Sequence, residues 1–278
     1  MGFQVALASS RRDTRLSPPH HRIGQWLAAV LLILGGAAQG EVEDSERGSL
    51  HLSVGPGIYA APQYPGAQSS RTRLFPFIDA EYDHRWYSSA SDLVGVYAWK
   101  TDMSQAGAAL EFEPTERRAR DDARLQHLAD VRDTARFKLF ASRTVGFVTA
   151  DGNVATDVLG RGQGTLAQVN LWFTAPLSEH FSINVGPGVT WADARFLRSF
   201  YAVTPQEAAI SQQLSTYSTH SGILDLHWNG LVEWQFLSNY RIGIQVSLMQ
   251  LKGSAAASPI TEQKTQQNVV GWVAYTFR

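Results

Sequence analysis

Along most of this chain, apolar residues alternate with polar or small ones at a spacing of two. The last segment sets Val269, Gly271, Val273, Tyr275 and Phe277 on one face, against Val270, Trp272, Ala274 and Thr276 on the other. Leu50, Leu52 and Val54 alternate with His51 and Ser53, and Phe181, Ile183 and Val185 alternate with His180, Ser182 and Asn184. Ile242, Ile244, Val246 and Leu248 enclose Gln245 and Ser247 in the same way. Successive side chains leave a strand on opposite sides, so a period of two marks a β-strand with unlike faces. The pattern predicts strands near 49–59, 73–83, 85–90, 93–100, 105–113, 134–143, 146–157, 164–174, 181–192, 222–235, 240–251 and 268–277.

One face of each strand suits lipid and the other suits water. No stretch beyond residue 40 approaches the roughly 20 apolar residues that a spanning helix needs. A sheet in hydrocarbon must close on itself, because an open edge leaves backbone groups unpaired at several kcal/mol each. The expected fold is therefore all-β, a transmembrane antiparallel β-barrel. Closure with both chain ends on one side requires an even strand count. Reading 85–100 as one strand gives eleven and puts the long connection 114–133 beside the tight turns at Ser142 to Val145, Pro176 to His180 and Leu237 to Asn239. Splitting it gives about twelve strands, with ten as the alternative if that region is irregular. The long connections 60–72, 114–133, 193–221 and 252–267 then share one side.

Composition agrees with this reading. Aromatic residues make up 11% of the chain, including 8 Trp, yet the mean hydropathy is only -0.18, as expected where each strand has one apolar and one polar face. The 278 residues carry a formal net charge of -1, which argues against a nucleic-acid partner. The absence of Cys excludes disulfides, thiolate metal sites and cysteine nucleophiles. Trp86, Trp99, Trp172, Trp191, Trp228, Trp234 and Trp272 fall near strand ends or on barrel faces, where interface girdles would place them. Arg11, Arg12, Arg15 and Arg22 precede an apolar run at 26–34, followed by small residues and an Ala38-Gln39-Gly40 cleavage zone. That is the order of a cleavable signal peptide over 1–40, with the barrel domain at 41–278 and the cell outer membrane as destination.

The connection 114–133 carries Glu116, Arg117, Arg118, Arg120, Asp121, Asp122, Arg124, Asp130, Arg132 and Asp133. It reads as a solvated extracellular loop with a helical turn around 125–128. Its arginines are also suited to lipopolysaccharide phosphates.

Several ordered segments resemble the MipA/OmpV family of outer-membrane proteins. They are Gly55-Pro56-Gly57, Tyr64-Pro65-Gly66, Leu128-Ala129-Asp130, Val185-Gly186-Pro187-Gly188 leading to Trp191, Phe200-Tyr201-Ala202-Val203, Glu207-Ala208, Ser258-Pro259-Ile260 and Ala274-Tyr275-Thr276-Phe277. The stretch from Leu251 to Ser254 belongs with them. The resemblance implies a non-enzymatic role as an envelope scaffold between a murein lytic transglycosylase and a penicillin-binding protein, or as a surface adhesin. It also implies outer-membrane lipid and lipopolysaccharide as surroundings. Two departures stand out: Arg278 follows the terminal aromatic, and Ala202 stands where the family has Gly, so a positive φ there would be strained.

Some residue pairs have the look of chemistry. His51 with Ser53, and His180 with Ser182 and Asn184, have the His-x-Ser spacing that places two side chains on one strand face. The alternation turns both sets inward at the turn end of the barrel, where a lipase would not work. His220, Asp225 and His227 cluster near the loop end, as in outer-membrane proteases. There Asp225 and His227 share the inner face only if Leu224, Leu226 and Trp228 face lipid. Polar lining of a small barrel explains all of these, so no catalytic, cofactor-binding or metal-binding residue and no cofactor is assigned. A narrow pore for small solutes is the alternative to a scaffold, and an outer-membrane hydrolase is the more remote one.

Overall fold

In the computed structural model, which describes residues 49–114 and 117–277, the alternating segments are all strands. They are β1 (Leu50–Pro62), β2 (Ser70–Tyr82), β3 (Trp86–Ser88), β4 (Asp92–Lys100), β5 (Ser104–Glu113), β6 (Thr134–Val145), β7 (Val148–Asp157), β8 (Thr165–Ser178), β9 (Phe181–Ala192), β10 (Gly222–Leu237), β11 (Tyr240–Leu251) and β12 (Thr265–Phe277). Each pairs antiparallel with its chain neighbour, and β1 closes on β12, with Leu52 opposite Phe277 and Ala60 opposite Val269. The result is a closed barrel of twelve strands. The leader 1–40, Glu116 and Arg278 lie outside the described residues.

Parity behaves as expected: both ends of the sheet lie at the end that carries the shortest turns. Several boundaries differ from the sequence reading. β1 and β2 run on to Pro62 and from Ser70, which shortens the first connection to 63–69. Small and charged residues such as Ala61 and Arg71 break the apolar alternation there without ending the ladder. β6 and β8 likewise extend to Val145 and Ser178. The turn after β6 is made by Gly146, in the left-handed region at φ 61°, and Phe147.

The outer surface is an apolar belt. On β10 the outward residues are Leu226, Trp228, Val232 and Trp234, all exposed, while Asp225, His227, Asn229 and Leu231 are buried inward. Trp86, Trp99, Trp191, Trp228 and Trp234 are exposed on this surface. Trp172 and Trp272 are not girdle residues: both are buried inside the barrel, about 5% and 4% exposed respectively. Phe77, Trp172, Leu231, Val270, Trp272 and Ala274 form one buried cluster, with Phe77 stacked on Trp272 at 5.3 Å. Since β2 and β8 lie half a circumference apart in the strand order, this cluster bridges opposite walls. A twelve-strand lumen is too wide for side chains of one wall to fill alone, and the aromatic belt fills it across.

Room for the belt is made by glycine. A Cβ on Gly243 would lie 2.1 Å from Cζ2 of Trp272, so the indole occupies the space that any other residue would claim.

The wall itself is uneven. Asp83 and His84, both in the left-handed region at φ 53° and 51°, make a tight reversal before β3. Ser89 Oγ then accepts the N–H of Asp92 at 3.0 Å and starts the next reversal. Between two such turns β3 has only 3 residues. β2 therefore pairs with β3 at Ala80, Glu81 and Tyr82, while its other edge pairs with β1 from Leu50 to Pro62. Among the described residues, positions 70–79 of β2 have no strand partner on the β3 side.

Gly243→Val is expected to lower the midpoint of the heat-induced shift in gel mobility, by about 1–3 kcal/mol of overpacking. An unchanged midpoint would show that the indole has other space to occupy.

Candidate functional site

At the loop end, the connections fold into a cap. Helix α1 (Ala194–Tyr201) starts at Asp193, whose carboxylate accepts the Phe196 N–H at 2.8 Å, and buries Phe196, Leu197, Phe200 and Tyr201 on one face. Helix α2 (Pro205–Ser211) begins with a capping box between Thr204 and Glu207 and has Pro at its start, where a missing N–H costs nothing. Helix α3 (Gly253–Ala257) follows β11. Two clusters tie these pieces together. One packs the α1 face against Val131, Leu166, Leu224, Leu251 and Ala255. The other joins Tyr64, Leu125, Leu128, Val203, Leu214 and Ile260.

The described part of the connection, 117–133, is therefore anchored in the cap as well as solvated. Two 3-10 turns, Ala119–Asp121 and Ala123–Leu125, carry it, and Leu125 and Leu128 are core residues of the cap. Hydrogen bonds lock the separate connections. The Tyr64 hydroxyl accepts from Arg124 Nη2 at 2.6 Å and donates to Glu262 Oε2 at 3.1 Å, and Arg124 reaches Glu262 Oε1 at 2.8 Å. Burial outweighs the Arg124 charge and pushes the Tyr64 hydroxyl above its usual range, so it stays a neutral donor. Buried Arg117 donates to the carbonyls of Ala129 at 3.1 Å and Ser199 at 2.8 Å. Glu207 Oε1 accepts the Ala129 N–H at 3.2 Å. Burial alone would raise the Glu207 carboxyl; donation from Thr204 and Ala129 and the Arg117 charge outweigh it and hold the group below the usual carboxylate range. Ala202 sits in extended backbone at φ -79°, so the strain foreseen for a non-glycine residue does not arise.

Under the cap and above the aromatic belt lies a polar cavity of about 80 Å³, lined by Arg136, Asn153, Gln168, Asp225, His227 and Gln245 among others. Its wall is wired in series. Asp225 Oδ1 lies 2.7 Å from His227 Nδ1, and His227 Nε2 lies 2.8 Å from Asn170 Oδ1. Asn170 Nδ2 donates to Asp151 Oδ1 at 2.8 Å, and Trp172 Nε1 donates to the other Asp151 oxygen at 2.6 Å. Gly188 makes this approach possible, since a Cβ there would lie 2.1 Å from His227 Nε2. A second group pairs Lys138 with Asp92 and, at 2.8 Å, with Glu111, all three buried. Burying these charges is costly unless each finds its partner, and the inner face supplies the partners at every second position.

The sequence candidates separate. Asp225 and His227 do share the inner face and touch, with Leu226 and Trp228 outward. Leu224 departs from expectation: the β9–β10 register shifts between Ile223 and Asp225, and Leu224 turns into the cap. His220 is held in the cap, its N–H donating to Ser254 Oγ at 3.2 Å. Ser53 pairs with Thr276 at 2.9 Å and accepts from Arg241 at 3.1 Å, while His51 is exposed beside His84. His180 sits in a turn, and Asn184 accepts from Thr174 at 2.6 Å. Neither His-x-Ser set is joined by a hydrogen bond. Among the described residues, the hydrogen-bond partners of the His227 ring are Asp225, Asn170 and Gln168, none of which is a hydroxyl. Among the described residues, no group of His, Asp and Glu side chains could hold a metal ion. Asp151, Asn170, Arg136 and Lys138 were missed; their signal was polarity at every second position of β6, β7 and β8.

The family model of the MltA-interacting protein MipA matches residues 54–277. No curated protein matches the sequence. Among solved structures, the NanC porin gives a TM-score of 0.41 at 8% identity, over 81% of this chain and 100% of that one. The outer membrane protein OprD from Pseudomonas aeruginosa gives 0.37 at 11% identity, over 80% and 65%. An anion-selective porin from Comamonas acidovorans gives 0.36 at 8% identity, over 83% and 99%.

Asp225→Ala strands His227 in a buried site and is expected to cost about 3–5 kcal/mol, read as a lower unfolding midpoint in urea. A neutral result would mean that the pair is not structural. The depressed Glu207 carboxyl stabilises the fold above its unfolded value and ceases to do so as pH falls through its folded one. Protease resistance of segment 194–221 should therefore be full at neutral pH and fall away below about pH 4. Equal resistance at pH 7 and pH 3 would contradict the linkage.

Proposed function

This chain belongs to the family of the MltA-interacting protein MipA, and on that premise we propose that it is a non-conducting, non-enzymatic barrel of the outer membrane that docks partner proteins of the cell envelope. The leader at 1–40 directs export, the long connections face outward and the short turns face the periplasm. The apolar belt contacts membrane lipid, and the cap meets the lipopolysaccharide layer.

The observation that carries this reading is the folded cap. A pore needs an axial path, and here Tyr64, Arg124 and Glu262 interlock three separate connections over the lumen. The aromatic belt lies across the same axis further down. A docking role asks instead for rigid surfaces. At the turn end, Met103, Phe147 and Leu177 are each more than 60% exposed, a face suited to a periplasmic partner. The family is described as MltA-interacting, and the resemblance noted in the sequence makes a murein lytic transglycosylase the first candidate, with a penicillin-binding protein as the second member of the assembly. The narrow-pore reading draws on the polar cavity alone.

The purified protein is expected to give no discrete openings in planar bilayers; stepwise conductance would overturn the non-conducting part of the reading. Crosslinking in intact cells should recover a murein enzyme, and Phe147→Asp together with Leu177→Asp should reduce that recovery severalfold. Recovery of lipopolysaccharide alone would count against docking.

A further inference from the structure

In the connection 114–133, Arg117 and Arg124 are engaged within the cap, on the carbonyls of Ala129 and Ser199 and on Glu262. Free positive charge at the loop end lies elsewhere. Arg132, Arg161, Arg195 and Arg198 are all exposed, and among the described residues their side chains make no hydrogen bond or ion pair. Folding gathers them from separate connections. Ser199 Oγ on α1 donates to the Gly162 carbonyl at 2.6 Å, and Gln163 Nε2 donates to the carbonyl of Arg132. The Asp193 N–H donates to the Thr165 carbonyl at 3.0 Å. Segment 158–164 presses on the start of α1 at Gly164, where a Cβ would lie 2.0 Å from Asp193 Oδ1. On α1, Arg195 and Arg198 share a side, away from buried Phe196, Leu197, Phe200 and Tyr201.

The carboxylates interleaved with these arginines are turned to other donors. Asp157 accepts from Thr134 Oγ1 at 2.5 Å and from the N–H groups of Leu159 and Gln163 at 3.0 Å each. Asp193 caps α1, and Asp133 is engaged as well. They anchor the connections and leave the guanidinium groups open.

Resting on the reading of the loop end as outward-facing, we propose that this corner of the rim binds the phosphate groups of lipopolysaccharide, with the acyl chains laid on the apolar wall below. The layering fits. Val154, Val158 and Leu159 on and just after β7, Val169 on β8 and Trp191 near the end of β9 are all exposed. An exposed Trp at a strand end marks the boundary between hydrocarbon and headgroups. Arg161 comes two residues after Leu159, and Arg195 four after Trp191. The guanidinium groups therefore stand at headgroup depth, above apolar wall. A planar guanidinium bonds a phosphate in bidentate fashion, and a lipid with two phosphates can engage more than one arginine. A zwitterionic lipid brings no net charge to the cluster, and free phosphate has no chains for the wall.

The test uses the folded barrel in dodecyl maltoside, with bis-phosphorylated lipid A as the probe and native mass spectrometry to count adducts. A single lipid A should be retained per barrel. Lipid A stripped of both phosphates, phosphatidylethanolamine and inorganic phosphate should not be retained. Arg161→Gln together with Arg198→Gln should weaken retention about twentyfold, roughly fivefold for each charge at a membrane surface. Arg143→Gln removes an exposed charge at the turn end and should leave retention unchanged. Lipid A should also slow backbone hydrogen exchange in 158–164 and 194–201 of the unmutated protein.

Equal retention by the double variant, an equal loss with Arg143→Gln, or phosphate-free lipid A or phosphatidylglycerol held as tightly as the probe would each overturn the site. If the double variant does not fold, as judged by gel mobility, the exchange pattern decides alone, and no protection in either segment would overturn it. The reading beneath the site fails by a different sign: absence of the unmutated protein from the outer-membrane fraction, whatever it retains in detergent.

Discussion

Every backbone N–H and C=O of a chain in hydrocarbon needs a partner, and most of this molecule follows from that requirement. Satisfying it with strands forces closure, with Leu52 brought to Phe277 across the length of the sequence. Closure with twelve strands creates an interior that one wall cannot fill. Two devices occupy that interior. The aromatic belt around Trp272 reaches from wall to wall, and the cap built on Phe196, Phe200, Tyr64 and Ile260 closes the loop end. The polar cavity is the volume left between them.

The requirement also explains where the barrel is unusual. Most of the ladder is continuous, but β3 is three residues long because polar turn formers crowd both of its ends. Beside it, positions 70–79 of β2 pair with β1, and among the described strands β3 reaches only Ala80 to Tyr82. Arg73 and Pro76 lie in that stretch, and charged residues and proline are the types that blunt strand edges elsewhere.

The buried charges show the same logic on the inner face. Lys138 lies between Asp92 and Glu111, and His227 between Asp225 and Asn170. Each partner comes from another strand or from two residues along the same one, so the register that satisfies the backbone also pairs the charges. The segments that resemble the family lie largely in the cap: Tyr64 and Leu128, Tyr201 and Val203, Glu207 and Ile260 all meet there. That gathering gives the family likeness a physical location, at the loop end of the barrel.

The amino-acid sequence alone determined the strands, their two faces and the closed, even-numbered sheet, because alternation is a local property and parity follows from where the long connections fall. The ionic and aromatic partners were beyond its reach. Asp225 and His227 could be placed on one face, but Asn170 enters their network through the register of β8, β9 and β10. Leu125 and Leu128 looked like parts of a charged loop, and they became core only when Tyr64 and Ile260, far away in the chain, packed against them. Trp272 read as a girdle residue until Gly243 on the neighbouring strand gave its ring room inside. The short β2–β3 ladder likewise depends on how far a three-residue strand climbs against a long one. Contacts across the lumen and between loops are set by strand register and by packing between distant segments, and only the tertiary structure decides these.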